Sequence, residues 1–282
     1  MKKTIQIFSI VLCLGFICLP VIAEEPAQEK QEYSEARVFN NNGVDFVASK
    51  KYTDAIKEFK KALDIDKSFQ AARYNLALAY YNSGKTKDAI SELKYLTNSS
   101  YYFVNAHYNL GTIYLREGML DEATEQLNIV IELEPSHAEA YFNLGFIYFK
   151  KDLLDDALTY YKEGVEIRPD SVKGRMSLAF IYEKKNMFKE AADEYMKALE
   201  FNPDNQDAKQ ALGGVQAISR IREYLKSDSK DAWAYVYLGH IYYARGMYKE
   251  AVDNYNKALQ IDPANATAKT SSEKTVVMML EA

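Results

Sequence analysis

Residues Tyr141–Tyr148 read YFNLGFIY, and related stretches stand at His107–Tyr114 (HYNLGTIY) and Tyr235–Tyr242 (YVYLGHIY). In each stretch the first, fourth, fifth and eighth residues fall on one side of an α-helix with 3.6 residues per turn. A second stripe with helical spacing follows, beginning at Ala157. The two stripes predict a pair of amphipathic helices joined by a tight turn.

A period of 34 residues carries this pattern along the chain. An acidic residue followed by alanine marks each unit, and the pairs are Asp54-Ala55, Asp88-Ala89, Glu122-Ala123, Asp156-Ala157, Glu190-Ala191 and Glu250-Ala251. With each alanine placed at the twentieth position, the units are 36–69, 70–103, 104–137, 138–171, 172–205 and 232–265.

Small and turn-forming residues recur at fixed places in these units. The eighth position is always glycine or alanine, which lets the two helices of a unit approach closely. Gly84, Gly118 and Gly246 stand between the two stripes, where the end of a helix favours a left-handed residue. Proline at the thirty-second position ends the second helix in four units, at Pro135, Pro169, Pro203 and Pro263.

The unit resembles the tetratricopeptide repeat, on Tyr141–Tyr148 followed by Ala157, Tyr161 and Pro169. The resemblance covers residues 36–205 and 232–265. It implies an all-α fold, a right-handed solenoid of antiparallel helix pairs (a TPR superhelix) with a concave groove lined by the first helices. The first unit departs from the pattern at Asn42 and Lys67, as a capping repeat does.

Three segments lie outside the full units. Residues 24–35 (EEPAQEKQEYSE) are predicted to form a solvated tether. Residues 206–231 are eight short of a unit and indicate a degenerate short unit, with a flexible joint at Gly213-Gly214 as the alternative. Residues 266–282 are predicted to form a C-terminal capping helix that buries Val276, Val277 and Leu280.

The first 23 residues have the pattern of a secretory signal peptide. Met1-Lys2-Lys3 is positive, residues 7–19 are uncharged and mostly apolar, and Val21-Ile22-Ala23 supplies a cleavage site. An exported protein, periplasmic or secreted, is therefore predicted. The alternative is an uncleaved membrane anchor, which would be the only membrane contact, although the apolar run is shorter than the ~20 residues that span a bilayer.

Composition and missing motifs argue against several function classes. The net charge is −5, which disfavours a broad nucleic-acid surface. The two cysteines, Cys13 and Cys18, lie within the signal segment. Phosphate loops, nucleophile elbows and zinc motifs are lacking, so an enzyme is a remote alternative and no cofactor is expected. The three histidines are isolated in sequence, and no metal site is expected.

Candidate partner-binding residues lie on the first helices, opposite the stripe that meets the second helix. Asparagine occupies the sixth position at Asn41, Asn75, Asn109 and Asn143, and an amide matches the donor and acceptor of a peptide unit. Four such contacts give ~2–6 kcal/mol, whereas micromolar binding needs ~8 kcal/mol. Aromatic residues must therefore supply the remainder, and the candidates are Tyr74, Tyr108, Phe142, Phe146, Phe180, Trp233 and Tyr237.

These residues also have a purely structural interpretation. The resemblance implies asparagine at this position whatever the protein binds, and the fifth-position aromatics partly pack between neighbouring first helices. Arg116, Lys150 and Lys184 at the thirteenth position could receive acidic groups of a partner, or could complement the helix dipole. The sequence thus predicts an exported adaptor that holds an extended protein segment in its groove, or alternatively a structural scaffold subunit of an envelope assembly.

Overall fold

The computed structural model describes residues 27–100 and 103–281, with side chains from residue 35 to residue 280. Within these ranges the regular structure is helical, which confirms the all-α prediction. The predicted signal peptide, residues 1–23, lies outside the described residues. The chain divides into two compact units, one ending at Ile113 and the other beginning at Tyr114.

The helices follow the predicted units closely. The compact unit that ends at Ile113 contains α1 (Ala27–Ala48), α2 (Tyr52–Ile65), α3 (Gln70–Asn82) and α4 (Thr86–Ser99). Helix α5 (Val104–Arg116) crosses the boundary between the two compact units. The second unit continues with α6 (Leu120–Leu133), α7 (Ala138–Lys150), α8 (Leu154–Ile167), α9 (Val172–Lys184), α10 (Phe188–Phe201), α11 (Gln206–Ser227), α12 (Ala232–Ala244), α13 (Tyr248–Ile261) and α14 (Ala266–Glu281).

Three-residue turns join the two helices of each pair, and the middle residue is left-handed. Gly84, Gly118 and Gly246 have φ values of 80°, 76° and 66°, as the sequence predicted. Lys50, Asp152 and Asn186 take the same conformation in the other pairs. A left-handed residue at this place lets the chain reverse direction directly after the first helix.

Glycine at the eighth position lies directly against the second helix. A Cβ atom on Gly145 would stand 2.9 Å from the Tyr161 ring, and one on Gly239 would stand 2.5 Å from the Tyr255 ring. The marker alanines at the twentieth position are fully buried at 0% exposure. Close approach of the paired helices therefore rests on the small eighth-position residue, as predicted, and in these two repeats that residue faces an aromatic ring of the second helix.

The fourth and twenty-third positions of a unit form a second contact between the paired helices, which recurs in three units. Arg73 and Glu92 form an ion pair at 2.7 Å, and Arg175 and Glu194 form one at 2.8 Å. In unit 138–171, Tyr141 and Tyr160 occupy the same two places as an aromatic contact, with ring centroids 6.4 Å apart. The same two positions are thus occupied by an ion pair in two repeats and by an aromatic pair in another.

The structure differs from the predicted tether. Helix α1 begins at Ala27, so most of the stretch 24–35 is helical rather than irregular. Ala27, Gln28 and Glu29 favour helix, and so do Lys30, Gln31 and Glu32. High polarity, which suggested solvation, does not oppose a helix whose residues have this propensity.

Residues 206–231 form one long helix and its exit turn rather than a helix pair. Helix α11 runs unbroken through Gly213 and Gly214, so the alternative of a joint at these glycines is wrong. Val215 and Ile218 are fully buried and pack with Tyr195 and Leu238. Each glycine inside a helix lowers its stability by ~1 kcal/mol. Burial of Val215 and Ile218 against the elements before and after α11 offsets this loss.

Helix α14 is present, but the predicted buried contacts are wrong. Val276, Val277 and Leu280 are exposed, Leu280 at 83%. The helix instead buries a stripe of small residues, Ala268, Ser272 and Thr275. Asn265 caps its first turn by accepting a hydrogen bond from the Ala268 amide at 2.9 Å, and Ala268 packs against α12 and α13. The largest apolar residues lie on another side of the helix.

Candidate binding surface

The asparagine row is partly committed to contacts between first helices. Asn75 Nδ2 donates to Asn40 Oδ1 at 2.9 Å. Asn109 Nδ2 donates to Tyr74 Oη at 2.6 Å and to the Asn105 carbonyl at 2.9 Å. The amides of Asn75 and Asn109 therefore link consecutive units, and their carbonyl oxygens are the groups a peptide would meet. Asn41 is exposed and Asn143 is half-buried.

Some of the candidate aromatic residues pack inside the fold. A Cβ on Gly164 or Gly174 would collide with the Phe142 ring, which is therefore enclosed between α7, α8 and α9. Tyr74 is half-buried against Phe103, with ring centroids 5.3 Å apart, and burial raises the pKa of its hydroxyl. Tyr108 is half-buried. The rings of Phe142 and Tyr74 therefore contribute mainly to packing between helices of the protein itself.

Phe146 and Phe180 lie together at a cavity of about 520 Å³, here called the α7–α9 cavity. Phe149 and Met176 complete its apolar walls, and Ser177, Asn205 and Lys173 contribute polar groups. The rings of Phe149 and Phe180 meet edge to face with centroids 5.4 Å apart. Tyr161 also lines the cavity, and burial raises its pKa to about 12. An apolar side chain of a partner would fit this space.

The aromatic pattern of the flanking positions indicates Phe149, but sequence reasoning did not place Met176 among the candidate site residues. They occupy the twelfth and fifth positions of neighbouring units, which flank the face opposite the second helix. Where first helices stand side by side, these flanking positions meet across the gap. A search of adjacent units for apolar residues at both positions would have found them.

Trp233 and Tyr237 line a separate opening of about 370 Å³, here called the α11–α12 cleft. Ile221 and Ala234 lie beside them, and Arg220, Tyr224 and Asp231 complete the lining. The Trp233 and Tyr237 rings stand 6.3 Å apart, centroid to centroid. A hydrogen bond to Asp231 raises the pKa of the Tyr224 hydroxyl.

The three candidate cations differ in their surroundings. Arg116 and Lys150 are exposed at the ends of α5 and α7. Lys184 is half-buried, and its Nζ lies 5.1 Å from the centre of the Phe180 ring, close to the α7–α9 cavity. Lys184 is thus the cation placed to act together with an apolar pocket.

Family models for tetratricopeptide repeats match residues 43–84, 71–99, 111–152, 138–171, 172–205 and 232–265. Together these ranges cover well over half of the 282 residues. The chain belongs to the tetratricopeptide repeat family. Its repeats at 138–171, 172–205 and 232–265 coincide with the units read from the sequence. Such proteins bind protein partners generally.

Solved tetratricopeptide repeat proteins share this fold. A crystal structure of MamA is 27% identical, covering 58% of this chain and 96% of that one with a TM-score of 0.55. MamA from Desulfovibrio magneticus RS-1 is 21% identical over 61% and 97%, with a TM-score of 0.57. Pseudomonas aeruginosa pilF is 14% identical over 86% and 99%, with a TM-score of 0.56. The last two show the fold alone. No curated protein sequence matches the chain.

A buried ion pair bridges the short segment that interrupts the repeats. Arg245, in the turn after α12, donates from Nε to Glu183 Oε2 of α9 at 2.6 Å. Tyr195 of α10 donates to Glu183 Oε1 at 2.6 Å, and Glu183 is only 3% exposed. A Cβ on Gly214 would strike the Arg245 guanidinium, so this glycine makes room for it. Arg245 and Glu183 are 62 residues apart in sequence, so the 34-residue period could not predict their contact.

Two further properties bear on function. Among the described residues, histidine, cysteine and carboxylate side chains form no group of three that could hold a metal ion. In that same part of the chain, every helix is too short or too polar to cross a bilayer.

Proposed function

We propose that the protein is an exported adaptor, without enzymatic activity of its own, that binds an extended segment of a partner protein against its first helices. The observation that carries the proposal is the α7–α9 cavity, whose volume of about 520 Å³ is lined mainly by Phe146, Phe149, Met176 and Phe180. Apolar lining on a solvent-accessible face is a feature of sites that receive a partner's side chains.

Apolar burial has to provide most of the affinity. Asn75 and Asn109 already donate within the protein, so the asparagine row offers a peptide less than the ~2–6 kcal/mol expected from four intact amides. Burying one large apolar side chain contributes about 1.5–3 kcal/mol. An anchor in the α7–α9 cavity, with an acidic group near Lys184, would add the specificity that backbone contacts lack.

The partner is proposed to be a polypeptide rather than a nucleic acid, in keeping with the net charge of −5. Export rests on the signal pattern of residues 1–23, with periplasm or medium as the destination. N-terminal sequencing of the protein from fractionated cells tests this part. A mature chain beginning at Glu24 supports export, and an intact Met1 in the soluble cytoplasmic fraction contradicts it.

A scaffold subunit is the second candidate, and the hydrogen bonds of the asparagine row favour it. Bonds from Asn75 to Asn40 and from Asn109 to Tyr74 are explained by repeat-to-repeat packing alone. In that case the first-helix face would tolerate substitution, and assembly would depend on other surfaces.

Peptide selection separates the two candidates. A displayed library of random linear peptides is selected against the mature chain, and the enriched peptides are measured against Phe146→Ala/Phe180→Ala. We expect enriched peptides to carry a bulky apolar residue and to lose at least about tenfold in affinity in this variant. Phe201→Ala, which removes a half-exposed phenylalanine outside the cavity, is the matched control. Enriched peptides that bind both variants equally would contradict the groove proposal.

A further inference from the structure

The α11–α12 cleft carries an unusual concentration of exposed aromatic rings. Tyr224, Trp233 and Tyr237 are 45%, 51% and 59% exposed, although each has a large apolar surface. Trp233 and Tyr237 follow one another at a spacing of one helical turn on α12, and their rings are tilted by 41°. Both rings line the cleft, and the small side chain of Ala234 lies between them in sequence.

Hydrogen-bond acceptors at the cleft are already engaged. Asp231 Oδ1 accepts from the Ala234 amide at 3.0 Å as the cap of α12. Asp231 Oδ2 accepts from the Tyr224 hydroxyl at 3.1 Å. Each oxygen of this carboxylate therefore already accepts a hydrogen bond within the protein, which leaves fewer sites for the N–H groups of an ordinary extended peptide.

Donors at the same cleft remain available. Between residues 103 and 281, the structure gives no hydrogen bond to the Trp233 indole N–H, the Tyr237 hydroxyl or the Arg220 guanidinium. A ligand that suits the cleft would therefore present acceptors and apolar surface but few donors of its own.

We infer that the α11–α12 cleft binds a proline-rich segment in the polyproline II conformation. Proline has no backbone N–H, so such a segment displays carbonyl acceptors and aliphatic rings. Aromatic-lined grooves recognise this helix because it is preformed and loses little entropy on binding. The inference rests on the proposed function in one respect, that the partner is a polypeptide, and it names the class of segment.

Charge at the cleft leaves one competing ligand to be tested. Exposed aromatic rings near carboxylates also suit quaternary ammonium groups. The Arg220 guanidinium lines the same opening and repels a cation. In contrast, Asp231 and Asp228, both within hydrogen-bond distance of the Tyr224 hydroxyl, keep their negative charges and attract one. A tetramethylammonium titration distinguishes a cation site from a proline-rich site.

Trp233 makes the test direct because it is the only tryptophan of the chain. The mature protein is titrated with acetylated decaproline, with a glycine-serine decapeptide, and with tetramethylammonium, while tryptophan emission is followed. We expect a saturable change with decaproline alone. Emission that is unaffected by decaproline, or that responds equally to the glycine-serine peptide or only to tetramethylammonium, overturns the inference.

Variants locate the response and separate it from the α7–α9 cavity. Tyr237→Ala should weaken decaproline binding at least about tenfold, and Tyr237→Phe should weaken it less because the ring remains. Tyr95→Ala removes a 52% exposed tyrosine of α4, outside the cleft, and should leave binding within twofold. Phe146→Ala/Phe180→Ala should also leave it unchanged, so failure of the groove proposal is distinguishable. Equal binding by Tyr237→Ala and the parent contradicts the inference, provided circular dichroism shows both folded.

Discussion

The same dipeptide, leucine followed by glycine, has different roles in two neighbouring segments. In the last full repeat, Leu238 and Gly239 are buried, and a Cβ on Gly239 would stand 2.5 Å from the Tyr255 ring. In the short segment, Leu212 is half-buried and a Cβ on Gly213 would meet nothing within 4 Å. The leucine–glycine pair packs tightly only where the second helix of the same repeat lies against it.

The short segment is held by different contacts. Helix α11 buries Val215 and Ile218, and its flank lets Arg245 reach Glu183 past Gly214. A full repeat is stabilised by packing within its own helix pair, whereas the segment 206–231 depends on elements before and after it. The predictions below test this contrast.

Removing Arg245 should have the largest effect. Arg245→Ala leaves the Glu183 carboxylate buried without its cation, which costs about 3–5 kcal/mol in similar buried pairs. Urea unfolding followed through Trp233 emission measures this at the affected part of the chain. Replacing both members with apolar residues (Glu183→Leu/Arg245→Met) should recover much of the loss. A single variant within ~0.5 kcal/mol of the parent would show that the bridge is dispensable.

Alkaline pH should weaken the full repeats through their buried tyrosines. Burial raises the pKa of Tyr161 from 10.0 to about 12. The folded protein therefore holds this proton more tightly, so stability is intact below pH 10 and falls between pH 10 and 12, by roughly 2–3 kcal/mol for this group. Urea unfolding at several pH values should show a shallower decline for Tyr161→Phe. Parallel declines in both proteins would count against the assignment.

Two glycine substitutions should change stability in opposite directions. Gly239→Ala forces a methyl group into the Tyr255 ring and should destabilise the protein by about 1–3 kcal/mol. Gly213→Ala meets open space in a helix interior and should stabilise it by ~0.5–1 kcal/mol. Thermal unfolding of the two variants beside the parent is sufficient. Destabilisation by both would mean that α11 is covered on this side in solution, and stabilisation by both would mean that Gly239 is not packed tightly against Tyr255.

Periodicity accounts for what could be predicted from the sequence. The close approach of paired helices at small eighth-position residues such as Gly145 lies within one unit and recurs, so the spacing predicted it, although not that the Tyr161 ring is the group approached. The burial of α14 through Ala268 and Thr275, rather than Val276 and Leu280, depends on which side docks, and one unrepeated helix gives no such indication.

The candidate site was predictable to a lesser extent. Phe146 and Phe180 were identified as residues of the face opposite the second helix, and they share one cavity. Phe142 was a candidate from a flanking fifth position, for which packing inside the fold was the alternative, and it is enclosed by Gly164 and Gly174 because small residues on neighbouring helices admit its ring. The position of a side chain on one helix does not specify the space that adjacent helices leave for it.

The link between Arg245 and Glu183 also constrains how this gene can change. Tandem arrays gain and lose units when duplicated stretches misalign during copying. An insertion that completed the segment 206–231 would carry the guanidinium away from its carboxylate and strand a charge in the interior. Expansion between residues 183 and 245 therefore carries a cost in stability, whereas adding repeats before residue 183 does not break this ion pair.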